Sequence, residues 1–205
     1  MHVLLLNGSP NAEGCTFTAL SEIAETLKAE NITSEIFQLG KKPVRGCIAC
    51  GVCNERGECA FQDDALPPLV EAVRRADALV IGSPGYYAGP NGALCALLDR
   101  LFFSAGSLLM FKPGAAVVSC RRGGASASFD RLNKYFTINQ MPVVSSQYWN
   151  SVHGFTRDDV RKDAEGLQTM RTLAHNLARM LRMEAVTPHR QDEEEHLWTS
   201  FADGK

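Results

Sequence analysis

Short apolar runs alternate along the chain with longer segments whose apolar residues recur at helical spacing. The runs are residues 2–7, 34–39, 78–83, 115–119 and 143–147; the helix-period segments are 16–29, 64–75, 91–105, 126–138 and 158–183. The runs are continuous rather than alternating, as strands covered on both faces require. The pattern predicts an α/β protein, with a doubly wound, five-stranded parallel sheet in a three-layer α/β/α stack and strand order 2-1-3-4-5. Asp64 is placed to N-cap the helix that follows, the second of the strand-to-strand connections. Pro67 and Pro68 then fall in the first turn, where a missing N–H does little harm.

One domain is expected over residues 1–189. The stretch 190–205, RQDEEEHLWTSFADGK, has neither period nor terminator and reads as an acidic, solvated tail. A chain of 205 residues, 45% hydrophobic and 21% charged, can bury an adequate core without staples. Its net charge of −2 gives no electrostatic reason to expect nucleic acid or a membrane surface as partner. The first residues, MHVLLLNGSPNAEG, carry no basic leader, and no stretch approaches the ~18 apolar residues of a membrane span. The expectation is a cytoplasmic protein whose thiols stay reduced.

In an open parallel sheet, ligands bind beyond the carboxyl ends of the strands, at the switch in strand order. The loops there are 7–20 (NGSPNAEGCTFTAL), 82–100 (GSPGYYAGPNGALCALLDR), 119–126 (SCRRGGAS) and 145–154 (SSQYWNSVHG). The first opens into a helix and offers free N–H groups with the hydroxyls of Ser9, Thr16 and Thr18, a cradle for phosphate. It has neither the lysine of a nucleoside triphosphatase loop nor a GxGxxG fingerprint, so a monophosphate cofactor fits it better. The second sets Tyr86 and Tyr87 just past a strand, before Gly89 and Gly92, where backbone can approach a ligand. In the third, Arg121 and Arg122 stand beside Gly123 and Gly124, fixed positive charge suited to a ring that gains electrons.

Together these motifs resemble the NADPH-dependent FMN reductase family of the flavodoxin-like superfamily, over most of residues 1–154. The Pro-x-Tyr-Tyr loop with the Leu-Asp-Arg downstream of it is the most specific part. With the cysteines discussed below, the pattern resembles the branch of iron–sulfur flavoproteins and their clusterless relatives. The resemblance implies that Ser9, Pro10, Asn11, Gly14, Cys15, Thr16 and Thr18 surround the FMN phosphate and ribityl chain. It implies that Pro84, Gly85, Tyr86, Tyr87 and Gly92 flank the isoalloxazine, and that Arg121, Gly123 and Gly124 complete that edge. Relatives often carry Asn where this chain has Cys15, so one amide donor is lost.

Of the groups expected to take part in catalysis, Tyr86, Tyr87 and Trp149 would shape the flavin pocket, and His153 would donate a hydrogen bond or proton. The fourth loop is expected to follow the fifth strand, which places Trp149 on the pocket wall. His175, His189 and His196 read as structural or solvated.

Cys47, Cys50, Cys53 and Cys59 form C-x2-C-x2-C-x5-C. The tandem start matches bacterial ferredoxin ligation of a [4Fe–4S] cluster. The five-residue gap differs from the ferredoxin run and would let the fourth ligand turn back to the same cluster. Gly46, Gly51 and Gly57 would ease the wrapping. Zinc sites usually need two knuckles held further apart, and a reduced, unmetallated loop is the third reading. Cys15, Cys95 and Cys120 read as small apolar residues.

The expected function is FMN-dependent oxidoreduction, with hydride from NAD(P)H and electrons passed to a quinone, a nitro or azo compound, or the cluster. Two alternatives are an electron carrier fed by ferredoxin and a zinc-stabilised interaction module. The resemblance also implies a homodimer or homotetramer.

Overall fold

The structure, a computed structural model, describes residues 1–62, 64–187 and 197. Apart from Leu197, the acidic tail lies outside the described residues, as do His189, His196, Trp198 and Phe201.

Five strands run parallel in the order β2-β1-β3-β5-β6: β1 (His2–Asn7), β2 (Thr33–Gln38), β3 (Ala78–Tyr86), β5 (Gly114–Cys120) and β6 (Ser151–His153). A two-residue strand, β4 (Gly89–Pro90), folds back antiparallel on the end of β3. Leaving out β4, this is the predicted 2-1-3-4-5 order of a flavodoxin-like sheet. Both faces are covered, which explains why β1 is apolar without alternation. Leu4 and Leu6 join the core under α3 (Leu66–Arg75), α4 (Gly92–Ala105) and α5 (Ala125–Ile138). Val3 and Leu5 face the opposite core, under α1 (Cys15–Ala29) and α7 (Ala164–Val186).

Three expectations need correction. The fifth strand is not 143–147. Val143 makes a single bridge to Gly114, the chain then leaves the sheet, and pairing resumes only at Ser151–His153. Asn150 ends the excursion, since its buried Nδ2 donates to the Ala116 carbonyl at 3.0 Å while its own carbonyl accepts from Val118 N–H. The closing helix is also divided, into α6 (Arg157–Val160) and α7. Asp163 divides them by capping α7 through Gly166 N–H at 2.9 Å. Finally, Asp64 lies before Ala65, the N-cap of α3. It accepts from Leu66 N–H at 3.0 Å, and its other partner is Arg100.

Candidate functional site

The loop after β1 is held in shape by buried amides. Asn7 Nδ2 donates to Gln38 Oε1 at 2.6 Å, and Asn7 Oδ1 accepts from Ser9 N–H at 3.1 Å. Gln38 Nε2 in turn donates to the Ser9 carbonyl at 2.7 Å. From the other side, Asn91 Nδ2 donates to the Gly8 carbonyl at 2.7 Å, while its Oδ1 caps α4 at Ala93 N–H. Gly8 is required sterically, because a Cβ there would lie 2.8 Å from the Gly82 carbonyl and closer still to Leu94. The sequence reading assigned no role to Asn7, Gln38 or Asn91. Their signal was an amide at the carboxyl end of two strands and immediately before a helix.

Behind this loop opens a cavity of about 640 Å³, lined by Pro10, Asn11, Gly14 and Cys15 together with Lys41, Phe155 and Arg157. Gly14 caps α1 without a side chain, so the N–H groups of the first turn are the natural anion donors. The two neighbouring threonine hydroxyls are committed inside the protein. Thr16 is buried, with Oγ1 2.8 Å from Ser119 Oγ, and Thr18 Oγ1 donates to the Gly14 carbonyl at 3.1 Å. Ser9 Oγ accepts from Asn11 N–H. Burial pushes the Cys15 thiol above its ordinary pKa, and its Sγ faces the Gly154 carbonyl at 3.7 Å.

The β3–β4 hairpin overhangs the same edge. Pro84, Gly85 and Tyr86 end the strand, Gly92 opens α4, and Tyr86 and Tyr87 are exposed, Tyr87 fully so. Tyr87 and Ala88 both have positive φ, +51° and +58°, the type I′ turn geometry that usually demands glycine or asparagine. Gly124, at φ +90°, lets the loop carrying Arg121 and Gly123 touch that turn, since a Cβ on it would lie 2.7 Å from Ala88 Cα. His153 is exposed at the end of β6, its N–H donated to Asp163 Oδ2 at 2.6 Å. Trp149 is not brought to this end of the sheet by the backbone. It precedes β6 and pairs with Tyr148, ring centroids 5.2 Å apart, on the lateral edge.

Cys47, Cys50, Cys53 and Cys59 line one cavity of about 350 Å³, walled by Ile48, Phe61, Phe103 and Arg100. Tight wrapping comes from left-handed backbone at Gly51, Gly57 and Ala49, and not at Gly46. Ala49 N–H donates to Cys47 Sγ at 3.5 Å. A short helix, α2 (Val52–Arg56), carries Cys53 between the two glycines. Among the described residues, no three His, Cys, Asp or Glu side chains are drawn close enough to hold a metal ion. In type, four thiols lining one largely apolar cavity nonetheless suit a thiolate-ligated group. Arg100, 1% exposed on α4, closes the inner wall.

Residues 1–156 match the NADPH-dependent FMN reductase family. The chain belongs to that family. Membership makes it a flavoprotein oxidoreductase by descent. It is 30% identical over 191 residues to an iron–sulfur flavoprotein of Methanocaldococcus jannaschii, covering 89% of this chain and 98% of that one. An iron–sulfur flavoprotein of Methanosarcina thermophila is 26% identical over 187 residues, covering 89% and 96%. Among solved structures, RosB with a bound 8-demethyl-8-formylriboflavin-5′-phosphate superposes with a TM-score of 0.76 at 18% identity, over 94% of this chain and 83% of that one. The apo form of an NADH:FMN oxidoreductase gives 0.62 at 18% identity, over 92% and 94%. These two likenesses concern the fold. No helix among the described residues is long and apolar enough to cross a membrane.

Proposed function

We propose that this protein binds FMN with its phosphate at the loop of residues 8–15 and its ring under the Tyr86–Tyr87 hairpin, and holds a [4Fe–4S] cluster on Cys47, Cys50, Cys53 and Cys59. It would take hydride from NAD(P)H and pass electrons to a small-molecule acceptor such as a quinone or a nitro or azo compound. The observation that carries this reading is that α4 touches both places. Asn91 at its start clasps the phosphate-type loop, and Arg100, nine residues on, reaches the cysteine cavity. At 1.5 Å per residue the two anchor points are about 13 Å apart along the helix.

FMN, when bound, supplies the switch between two-electron and one-electron transfer. The chain's own groups bind and orient. First-turn N–H groups of α1 take the phosphate, and Lys41 adds positive charge at the cavity rim, where Arg157 is paired with Glu13 at 3.0 Å. Arg121 would offer positive charge to the reduced ring, and His153, whose N–H is held by Asp163, presents its ring to solvent at the sheet's end. The fully exposed Tyr87 supports a homodimer or homotetramer in which a second copy covers the hairpin. Reduced thiols fit a cytoplasmic setting.

Anaerobic purification followed by flavin, iron and acid-labile sulfide counts per chain tests the reading. One flavin with about four irons and four sulfides is expected; zinc without flavin would replace it with an interaction module. A second reading, an electron carrier fed by ferredoxin, draws support from the exposure of Cys47, Cys50 and Ile48, which a protein donor could approach. Stopped-flow reduction separates the two: rapid flavin bleaching by NADPH marks the reductase, and bleaching only by reduced ferredoxin marks the carrier.

A further inference from the structure

Arg100, its side chain 1% exposed, is fully committed inside the protein. A guanidinium has five N–H donors in a fixed fork, and here each has a partner. Nε donates to Cys59 Sγ at 3.3 Å. Nη1 donates to the Arg45 carbonyl at 3.4 Å and to Asp64 Oδ2. Nη2 donates to the Phe61 carbonyl at 2.9 Å and to Asp64 Oδ1 at 3.2 Å. Every partner lies between residues 45 and 64, on the segment that carries the four cysteines. The fork therefore ties the start of the cysteine loop to its end, and it does so from a helix fixed in the core.

The geometry of the ion pair specifies what reaches the sulfur. Asp64 takes one N–H from each Nη and neutralises the guanidinium, which leaves the Nε–H, on the opposite edge of the fork, pointed at Cys59. Cys59 stands apart from the other three thiols by a five-residue gap and a helix turn, so it is the ligand whose position the local spacing fixes least. We infer that Arg100 is the positioning residue of the cysteine cavity: it holds the Cys59 sulfur in place as the fourth ligand and donates a hydrogen bond to it. This rests on the reading that the four cysteines hold a thiolate-ligated group, and it assigns that group a partner outside its ligands. Such partners commonly govern metal affinity by about 10–100-fold.

The test uses the full chain, reduced and stripped of metal, titrated with cadmium and followed by thiolate-to-metal charge-transfer absorption. Wild type should bind with an Arg100-dependent affinity, and Arg100→Lys, which keeps a cation for Asp64 but has no Nε–H fork, should bind about 10–100-fold more weakly with a shifted band. Asp64→Asn leaves the arginine in place but unclamped, and should weaken binding about tenfold in the same direction; it decides the matter should Arg100→Lys not fold. In protein reconstituted with iron and sulfide, Arg100→Lys should lower the cluster's reduction potential, because a donor to sulfur favours the more negative reduced state.

Cadmium affinity and band unchanged within about twofold in the folded variants would overturn the inference, as would a wild type that binds no cadmium. The underlying reading fails separately. A wild type that takes up cadmium in an Arg100-dependent way but no iron and sulfide loses the cluster and keeps the positioning role. One that holds four irons while its cadmium affinity ignores Arg100 does the reverse.

Discussion

The side chain of Asn91 reaches 2.7 Å to the carbonyl of Gly8, across 83 residues of sequence, while its other amide atom caps the helix it precedes. One buried residue thus fixes the loop on which a phosphate would sit and the helix that leads to the cysteines. Asn91→Ala removes a cap worth about 1 kcal/mol and leaves the Gly8 carbonyl without its donor. Unfolding in urea should show a loss of about 2 kcal/mol, and FMN titration by fluorescence should show roughly tenfold weaker binding.

The Tyr87–Ala88 turn carries strain that glycine would relieve. A left-handed backbone costs a non-glycine residue about 1–2 kcal/mol, offset in part by the extra chain entropy of glycine. Ala88→Gly should therefore stabilise the protein by about 0.5–1 kcal/mol, read from the urea midpoint at unchanged slope. Gly124→Ala should do the opposite. It forces a Cβ to φ +90° and to 2.7 Å from Ala88 Cα, and a loss of more than about 1 kcal/mol is expected.

Acid should unfold the metal-free protein partly through Asp64. Burial alone would raise its pKa, but the Arg100 guanidinium and the Leu66 N–H outweigh burial and hold the carboxyl below its ordinary value. A depressed native pKa gives stability that is present above the unfolded-state value and lost as pH falls through the native one. Asp64→Asn should cost about 3 kcal/mol at neutral pH, since it leaves Arg100 buried without its counter-charge. The same variant should flatten the fall in stability on the acid side, measured as urea midpoints across a pH series.

Five of the seven thiols should separate into two classes on alkylation. Cys47 and Cys50 are exposed, whereas burial pushes the thiols of Cys15, Cys95 and Cys120 above their ordinary pKa. Iodoacetamide should label the first pair promptly and the latter three slowly, as followed by peptide mass spectrometry. Rapid labelling of Cys120 would show that the carboxyl end of β5 opens in solution.

Asp163 joins the end of β6 to the start of α7, accepting from His153 N–H and Gly166 N–H. Asp163→Ala should lower stability by about 1–2 kcal/mol. Amide exchange should rise at His153 and in the first turn of α7, and not in β1.

The layering of the protein was determined by its sequence alone. Continuous apolar strands with helices between them admit few arrangements other than a parallel sheet buried on both faces, and β1, β3 and β5 lie where their apolar runs predicted. The spacing of four cysteines was equally plain, because all four fall within residues 47–59. The fifth strand was misplaced because 143–147 opens with two β-branched apolar residues but meets β5 only at Gly114, through the Val143 bridge and the Val144 N–H; the pairing that fixes β6 comes from Asn150 and Val118, which sequence periodicity does not encode. The roles of Asn91 and Arg100 were hidden for the same reason. Asn91 caps a helix and Arg100 closes the Leu-Asp-Arg run on it, but no local pattern names their distant partners, which lie 83 residues away in one case and 36 to 55 in the other. Local pattern records which faces must be buried. Only the folded chain decides which buried polar atoms find one another, because an unpaired donor in the interior costs too much to be left to chance.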